Sequence, residues 1–234
     1  MSKRWKYPRT NHFPMSPGAD KSDKVMENTD AFGSPRPPCK TNEKKDVVVT
    51  LKMDGENTTL YHDYWHARSM SQNQHLSRNW IAAFHAQIQH LIPPEIRICG
   101  ENLYARHSIH YKNLNAYFQV FGIWEGERCW AWEDVKQFCL DLKVETVPVV
   151  SEGKWQGETA MYWMFDSYLG SGYEGDEVEG LVVRIADEIP LDKWPTSVGK
   201  FVRKNHITTD QHWMTKPVVK NSLKIINNLQ KIKE

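Results

Sequence analysis

Apolar positions follow two different periods along the chain, and their mixture predicts a mixed fold. The run Val47-Val48-Val49-Thr50-Leu51 is apolar and largely β-branched, and it predicts a strand that ends at Lys52. Asp54-Gly55 follows it, and Thr58-Thr59-Leu60-Tyr61 opens a second apolar run. Asp-Gly between two such runs predicts a hairpin. Further strands are expected over 96–99, 117–124, 146–150, 178–185 and 198–204, with Pro148 marking an edge or a bulge.

Helical spacing appears between these runs. Trp80, Ile81, Phe84, Ile88 and Leu91 predict a helix over 78–91, with Ser77 as a candidate cap and Pro93-Pro94 as its stop. Trp132, Val135, Phe138, Cys139 and Leu142 predict a helix over 132–142, and Met161, Met164, Phe165 and Tyr168 one over 157–169. Val219, Leu223, Ile226 and Leu229 predict an amphipathic helix from 218 to about 231, with Lys220, Lys224 and Lys231 on its solvated face. Strict βαβ alternation is missing, so the expectation is α+β with antiparallel sheets. Residues 1–45 are rich in Pro, Gly, Ser and Lys and read as an irregular arm packed on the domain, with 34–38 as a stiff connector. The main domain is expected over 46–216 and the C-terminal basic helix over 217–234.

Composition narrows the function little. Over 234 residues, 30 basic side chains face 29 acidic ones, so binding of nucleic acid would rest on a local patch. Ten Trp and nine Tyr suit either core packing or base stacking. Cys39, Cys99, Cys129 and Cys139 form no Cys-x-x-Cys pair, and they read as reduced thiols with no metal cluster. The N-terminus lacks an apolar signal core and no apolar run approaches membrane-spanning length. A soluble cytoplasmic protein without a membrane partner is expected.

Chemistry enters with Lys52. A lysine at the end of a strand, with carboxylates beside it, is a candidate covalent nucleophile. The stretch Lys52-Met53-Asp54-Gly55-Glu56-Asn57 resembles motif I of the covalent nucleotidyltransferases. Other stretches resemble later motifs in the same order: His66-Ala67-Arg68-Ser69, Gly100-Glu101-Asn102-Leu103, Tyr117-Phe118-Gln119-Val120-Phe121-Gly122-Ile123, Glu179-Gly180-Leu181-Val182-Val183-Arg184, and Lys200-Phe201-Val202-Arg203-Lys204-Asn205. The opening Lys6-Tyr7-Pro8-Arg9-Thr10 is also similar to the start of phage and bacterial members. The chain thus resembles the RNA ligase 2-like RNA ligases from near residue 6 to about residue 216. Two departures stand out. Gly122 occupies a position where the family carries Asp, and the last motif has Lys200, Arg203 and Lys204 in place of lysines two apart.

The resemblance implies an α+β nucleotidyltransferase (ATP-grasp-like ligase) domain of antiparallel sheets flanked by helices, with no OB domain. It implies an ATP-dependent ligase that forms a Lys52–AMP intermediate, passes AMP to an RNA 5′-phosphate, and joins that end to a 3′-hydroxyl. Lys52, Asp54, Gly55, Arg68, Glu101, Phe121, Glu179 and Lys200 would contact the nucleotide. Lys200, Arg203 or Lys204 would act on its phosphates, and Glu179 and Glu101 would hold Mg²⁺ or Mn²⁺. Free lysine has a pKa near 10.4, so the expectation is that nearby cations and partial burial lower that of Lys52. Two rival readings stand beside this one: a DNA or mixed-strand nick ligase, and a nucleotide- or RNA-binding module of the same fold without turnover.

Overall fold

The apolar run at 47–51 does become a strand, but its partners are not the ones that the Asp-Gly turn predicts. The computed structural model describes residues 3–33, 44–70, 75–204 and 217–224. In chain order its elements are β1 (Asn11–His12), β2 (Asp46–Lys52), β3 (Glu56–Leu60), β4 (Trp65–Ala67), α1 (Asn79–Ile88), β5 (Ile96–Asn102), β6 (Phe118–Glu125) and β7 (Arg128–Cys129). They continue as α2 (Trp132–Leu142), β8 (Glu145–Thr146), β9 (Val149–Lys154), α3 (Glu158–Ser171), β10 (Gly180–Ile185), β11 (Ile189–Pro190), α4 (Trp194–Ser197) and β12 (Val198–Val202).

The strands form two sheets. The first is ordered β1-β12-β10-β2-β9 and the second β11-β7-β6-β5-β3-β4, with β8 paired to β6. Pairing is antiparallel except at β1/β12 and β6/β8, which are parallel. β2 and β3 therefore do not form a hairpin: β2 lies between β10 and β9 in one sheet, and β3 lies between β5 and β4 in the other. Residues 53–55 carry the chain from sheet to sheet. The reason for Gly55 changes accordingly. A Cβ there would sit 2.6 Å from the Asn102 carbonyl oxygen and 2.8 Å from a Leu103 methyl. The glycine is needed because the chain passes hard against β5, not because a hairpin turn requires it.

β2 is buried on both faces from Val47 to Leu51, which is why it reads as an unbroken apolar run. On one side of the first sheet, Phe165 of α3 stacks against Phe201 of β12 at 5.9 Å. The other side faces the second sheet across a cleft. Pro148 sits where the chain returns from β8 to β9. β9 is an edge strand, and its register with β2 shifts at Val49/Thr50, as the proline predicts. α2 begins and ends where its apolar spacing predicts. α1 is shorter than 78–91 because 3₁₀ turns at Leu76–Arg78 and Gln89–Leu91 flank it. The first of these turns is capped by the His75 side chain, which accepts from the Ser77 amide.

The N-terminal arm is largely irregular yet supplies core. β1 adds a parallel strand beside β12, and Phe13 stacks on Phe201 at 4.6 Å. Phe32 stacks on Trp155 at 4.9 Å. The connector at 34–38 and Cys39 lie outside the described residues. Trp124, Trp132, Trp155 and Trp194 are buried, so much of the tryptophan surplus serves packing.

The expected helix from 218 to 231 is not formed over its described part. Residues 217–224 are extended, bridging Ala105 through Lys220 and Leu114 through Leu223. Their backbone groups are taken up by the 104–114 loop, while Val219 and Leu223, the apolar stripe of the expected helix, stay 48% and 40% exposed. Asn221 is buried instead. The remainder of that expected helix lies outside the described residues. Among the described residues, no helix is long and apolar enough to cross a membrane.

Candidate active site

Strand register brings the charged groups of the first sheet together. Lys52, the last residue of β2, is paired with Gly180, the first of β10. Glu179 therefore falls beside Lys52, and its two oxygens lie 2.7 Å from the lysine Nζ. Thr50, Val182 and Lys200 are in register across three strands, so all three point to the same face as Lys52. That face forms one wall of a cavity of about 290 Å³.

The second sheet supplies the other wall. Glu101 on β5 lies opposite Asn57 on β3, and its Oε1 accepts the Gly55 amide at 3.1 Å. Phe121 on β6 lines the cavity and makes an edge contact with Tyr7 of the N-terminal arm at 5.0 Å. Arg68, just past β4, is exposed at the rim and donates its amide to Asn57 O at 2.9 Å. Lys52, Glu101, Lys200, Phe121 and Val182 thus line one cavity between the two sheets.

Three expected contacts are placed elsewhere. Asp54 turns its carboxylate away from the cavity: Oδ2 accepts the amides of Ser108 at 2.7 Å and Ile109 at 2.6 Å. Its own amide donates to the Tyr111 hydroxyl at 2.9 Å. Asp54 therefore anchors the crossover and does not touch the cavity contents. β12 ends at Val202, so strand alternation does not extend to Lys204, which is exposed. Arg203 turns outward and pairs with Glu177 at 2.8 Å. Of the three basic candidates near the end of this strand, Lys200 is the one that lines the cavity.

Electrostatics also depart from expectation at Lys52. Burial pulls its pKa down, but the charges of Glu179 and Glu101 outweigh burial, and the net shift is upward. The lysine is therefore held firmly as an ammonium in the nucleotide-free site. Lys200 shows the shift expected for Lys52: burial first, and the neighbouring Lys52 charge second, bring it down to about 8. Glu101 is pushed up to about 8 by burial, with Glu179 and Asp54 adding to the rise and Lys52 opposing it.

Several lining residues escaped the sequence reading. Arg184 is buried and donates to the carbonyls of Trp130 (2.7 Å) and Ile185 (3.1 Å) while facing the cavity. Strand alternation two residues beyond Val182 was the signal for it. Trp194 is another; Tyr7 belongs to the arm already noted as similar to the family's start, but nothing local announces that it meets Trp194, 5.5 Å away. At Gly122, an added Cβ would meet Cys129 Sγ at 3.5 Å, an ordinary contact, so packing does not demand glycine there.

Two carboxylates and two lysines beside an aromatic and aliphatic lining form an arrangement suited to a nucleotide. Comparison with known proteins assigns the family. Residues 45–204 match the model described as RNA ligase. The chain belongs to the RNA ligase family. No curated protein matches it in a sequence search. Among solved structures, it is similar to an archaeal ATP-dependent RNA ligase at 14% identity, covering 70% of this chain and 44% of that one, with a TM-score of 0.46. A Naegleria gruberi RNA ligase mutant with AMP and Mn is 17% identical, with 68% and 49% covered and a TM-score of 0.48. A putative ATP-dependent DNA ligase from Aquifex aeolicus is 14% identical, with 70% and 45% covered and a TM-score of 0.42. The chain spans about half the length of these proteins.

Proposed function

We propose that this chain is the adenylylating unit of an ATP-dependent RNA ligase and that Lys52 carries the AMP. The observation that carries the reading is the 2.7 Å contact of Glu179 with Lys52, which lines the cavity. Membership of the RNA ligase family supports it.

In the first step the Lys52 amine attacks the α-phosphorus of ATP. An N–P bond forms, the P–O bond to the leaving group breaks, and pyrophosphate departs. The ammonium must first lose a proton, and the Glu179 carboxylate is the acceptor in contact with it. Lys200 stands on the same face and offers positive charge to the phosphate as negative charge builds on it. Phe121 and Val182 line the cavity from opposite sheets and offer apolar surface to the base, and Tyr7 packs against Phe121. AMP then passes to an RNA 5′-phosphate, and a 3′-hydroxyl displaces it to join the strands.

A divalent ion suits this site. Glu179, beside Lys52, and Glu101, beside Gly55, are hard oxygen donors of the kind that a divalent ion prefers. Among the described residues, no group of three or more His, Cys, Asp or Glu is placed to hold a metal by itself. Phosphate oxygens and water would complete the shell around Mg²⁺ or Mn²⁺. When bound there, the ion would neutralise phosphate charge and favour the neutral form of Lys52.

The test is sealing of nicked duplexes carrying RNA or DNA on each side of the nick, with ATP and Mg²⁺. Sealing that requires an RNA 3′-hydroxyl strand supports the reading. Equal sealing with a DNA 3′-hydroxyl strand would make the protein a mixed-strand nick ligase, and an AMP-free preparation that seals nothing would leave a binding module.

A further inference from the structure

The 217–224 segment does not line the cavity, yet it is bonded to the loop that holds the 53–55 crossover. Asn221 is 1% exposed, and its polar groups are engaged on several sides. Its Oδ1 accepts the Tyr111 amide at 3.0 Å, and its Nδ2 donates to the Leu103 carbonyl at 2.8 Å. Its own carbonyl accepts the Tyr117 hydroxyl at 3.0 Å. Backbone bonds from Arg106 to Val219, from Asn221 to Tyr104, and from Ser222 to Tyr111, at 2.7 to 3.0 Å, press the strap along the loop. Lys220 lies over the rings of Tyr104 and Tyr117 at 5.6 and 5.3 Å.

The far side of the same loop holds the crossover. Ser108 and Ile109 grip the Asp54 carboxylate, and the Tyr111 hydroxyl receives the Asp54 amide. Tyr111 is thus bonded at its backbone to Asn221 and at its hydroxyl to the residue two places after the nucleophile. Its ring is buried, so this link is stiff.

We propose that the strap is a positioning element for the nucleophile, acting through Asn221, Tyr111 and Asp54. The inference rests on the adenylylation reading. Strap residues touch neither nucleotide nor metal; they reduce the freedom of the 53–55 crossover and so hold the Lys52 amine in line with the α-phosphorus. Small errors in such alignment are costly in rate while leaving ground-state binding intact.

The experiment compares wild type, Asn221→Ala and Tyr111→Phe. Tyr111→Phe keeps the ring and removes only the hydroxyl link, so it stays folded where Asn221→Ala fails. Three quantities are read: the single-turnover rate of lysine adenylylation, the ATP dissociation constant, and amide hydrogen exchange in the 53–57 peptide. The expected result is a rate loss of about tenfold or more for both variants, with ATP affinity changed less than about twofold and exchange at 53–57 accelerated. Unchanged exchange in Tyr111→Phe would overturn the proposal, as would a wild-type rate, or loss of rate and ATP affinity in equal measure. Exchange needs no turnover. If the wild type takes no AMP, the adenylylation reading fails, and the exchange arm still decides whether the strap holds the crossover.

Discussion

The chain crosses between the sheets from β2 to β3 and from β8 to β9, both crossings line the same cavity, and the two are built differently. Between β2 and β3, residues 53–55 are held by side chains: Asp54 takes the Ser108 and Ile109 amides, Tyr111 takes the Asp54 amide, and Glu101 takes the Gly55 amide. Between β8 and β9, residues 147–148 are held by main chain alone, through Val147 N to Val120 O and Leu51 N to Pro148 O, each at 2.9 Å. Both crossings perform the same topological task. The first follows the proposed nucleophile directly, and it is fixed far more tightly than topology requires. The difference separates connection from positioning: a crossover needs only a path, whereas a reacting amine needs a defined direction.

The largest effect is expected where the first crossover is cut. Asp54→Ala leaves two loop amides without their acceptor, a loss of about 1–3 kcal/mol for each buried group. Adenylylation should fall by about 100-fold or more, measured by labelled-AMP uptake, together with a drop in thermal midpoint. A rate within a few-fold of wild type would erase the distinction between the crossings.

Glu179→Gln should come next. Adenylylation falls by about 100-fold, because both the proton acceptor and the candidate metal ligand are lost. The same change sharpens the account of Lys52. Burial lowers the lysine pKa and Glu179 is the leading influence that raises it, so removing the carboxylate charge should move the lysine downward. Competitive acylation of Lys52 against pH reads this directly, and an unchanged profile would show that the 2.7 Å contact does not set the charge state.

Glu101→Gln tests the second carboxylate through stability. A carboxyl raised from 4.5 to about 8 on folding favours the native state fully below pH 4.5, and that contribution is lost as pH rises to about 8. Wild type should therefore lose thermal midpoint across this window relative to Glu101→Gln, whose curve lacks the group. Parallel curves would mean that Glu101 ionises normally.

The smallest effect belongs to the second crossover. Pro148→Ala keeps the carbonyl that accepts Leu51 and loses only ring rigidity, so stability should change by less than about 1 kcal/mol and adenylylation by less than about twofold. A large loss of activity would show that both crossings position the site.

Much of this architecture was legible in the chain. The strand at β2 and the helical spacing of α2 are formed where the sequence expects them, and Lys52, Glu101, Phe121 and Lys200 line one cavity with Glu179 in contact with Lys52. These signals are local or ordered along the chain. The failures involve partners distant in sequence. Asp54-Gly55 carries hairpin chemistry, but nothing local states that β3 pairs with β5 while β2 pairs with β10. The spacing of Val219 and Leu223 suits a helix, but the backbone of this stretch finds its partners in the 104–114 loop. Arg203 carries the right charge near the right strand, yet Glu177 draws it outward. The charge state of Lys52 depends on two carboxylates 49 and 127 residues away, and only the folded register brings them close.

The most direct test of the central claim is to locate the AMP. The AMP-free chain is incubated with α-phosphate-labelled ATP and Mg²⁺, denatured, digested and mapped. The account predicts an acid-labile label on the peptide containing Lys52 and none on Lys52→Ala. A label that persists in Lys52→Ala, or a wild-type protein that takes up none, would contradict it.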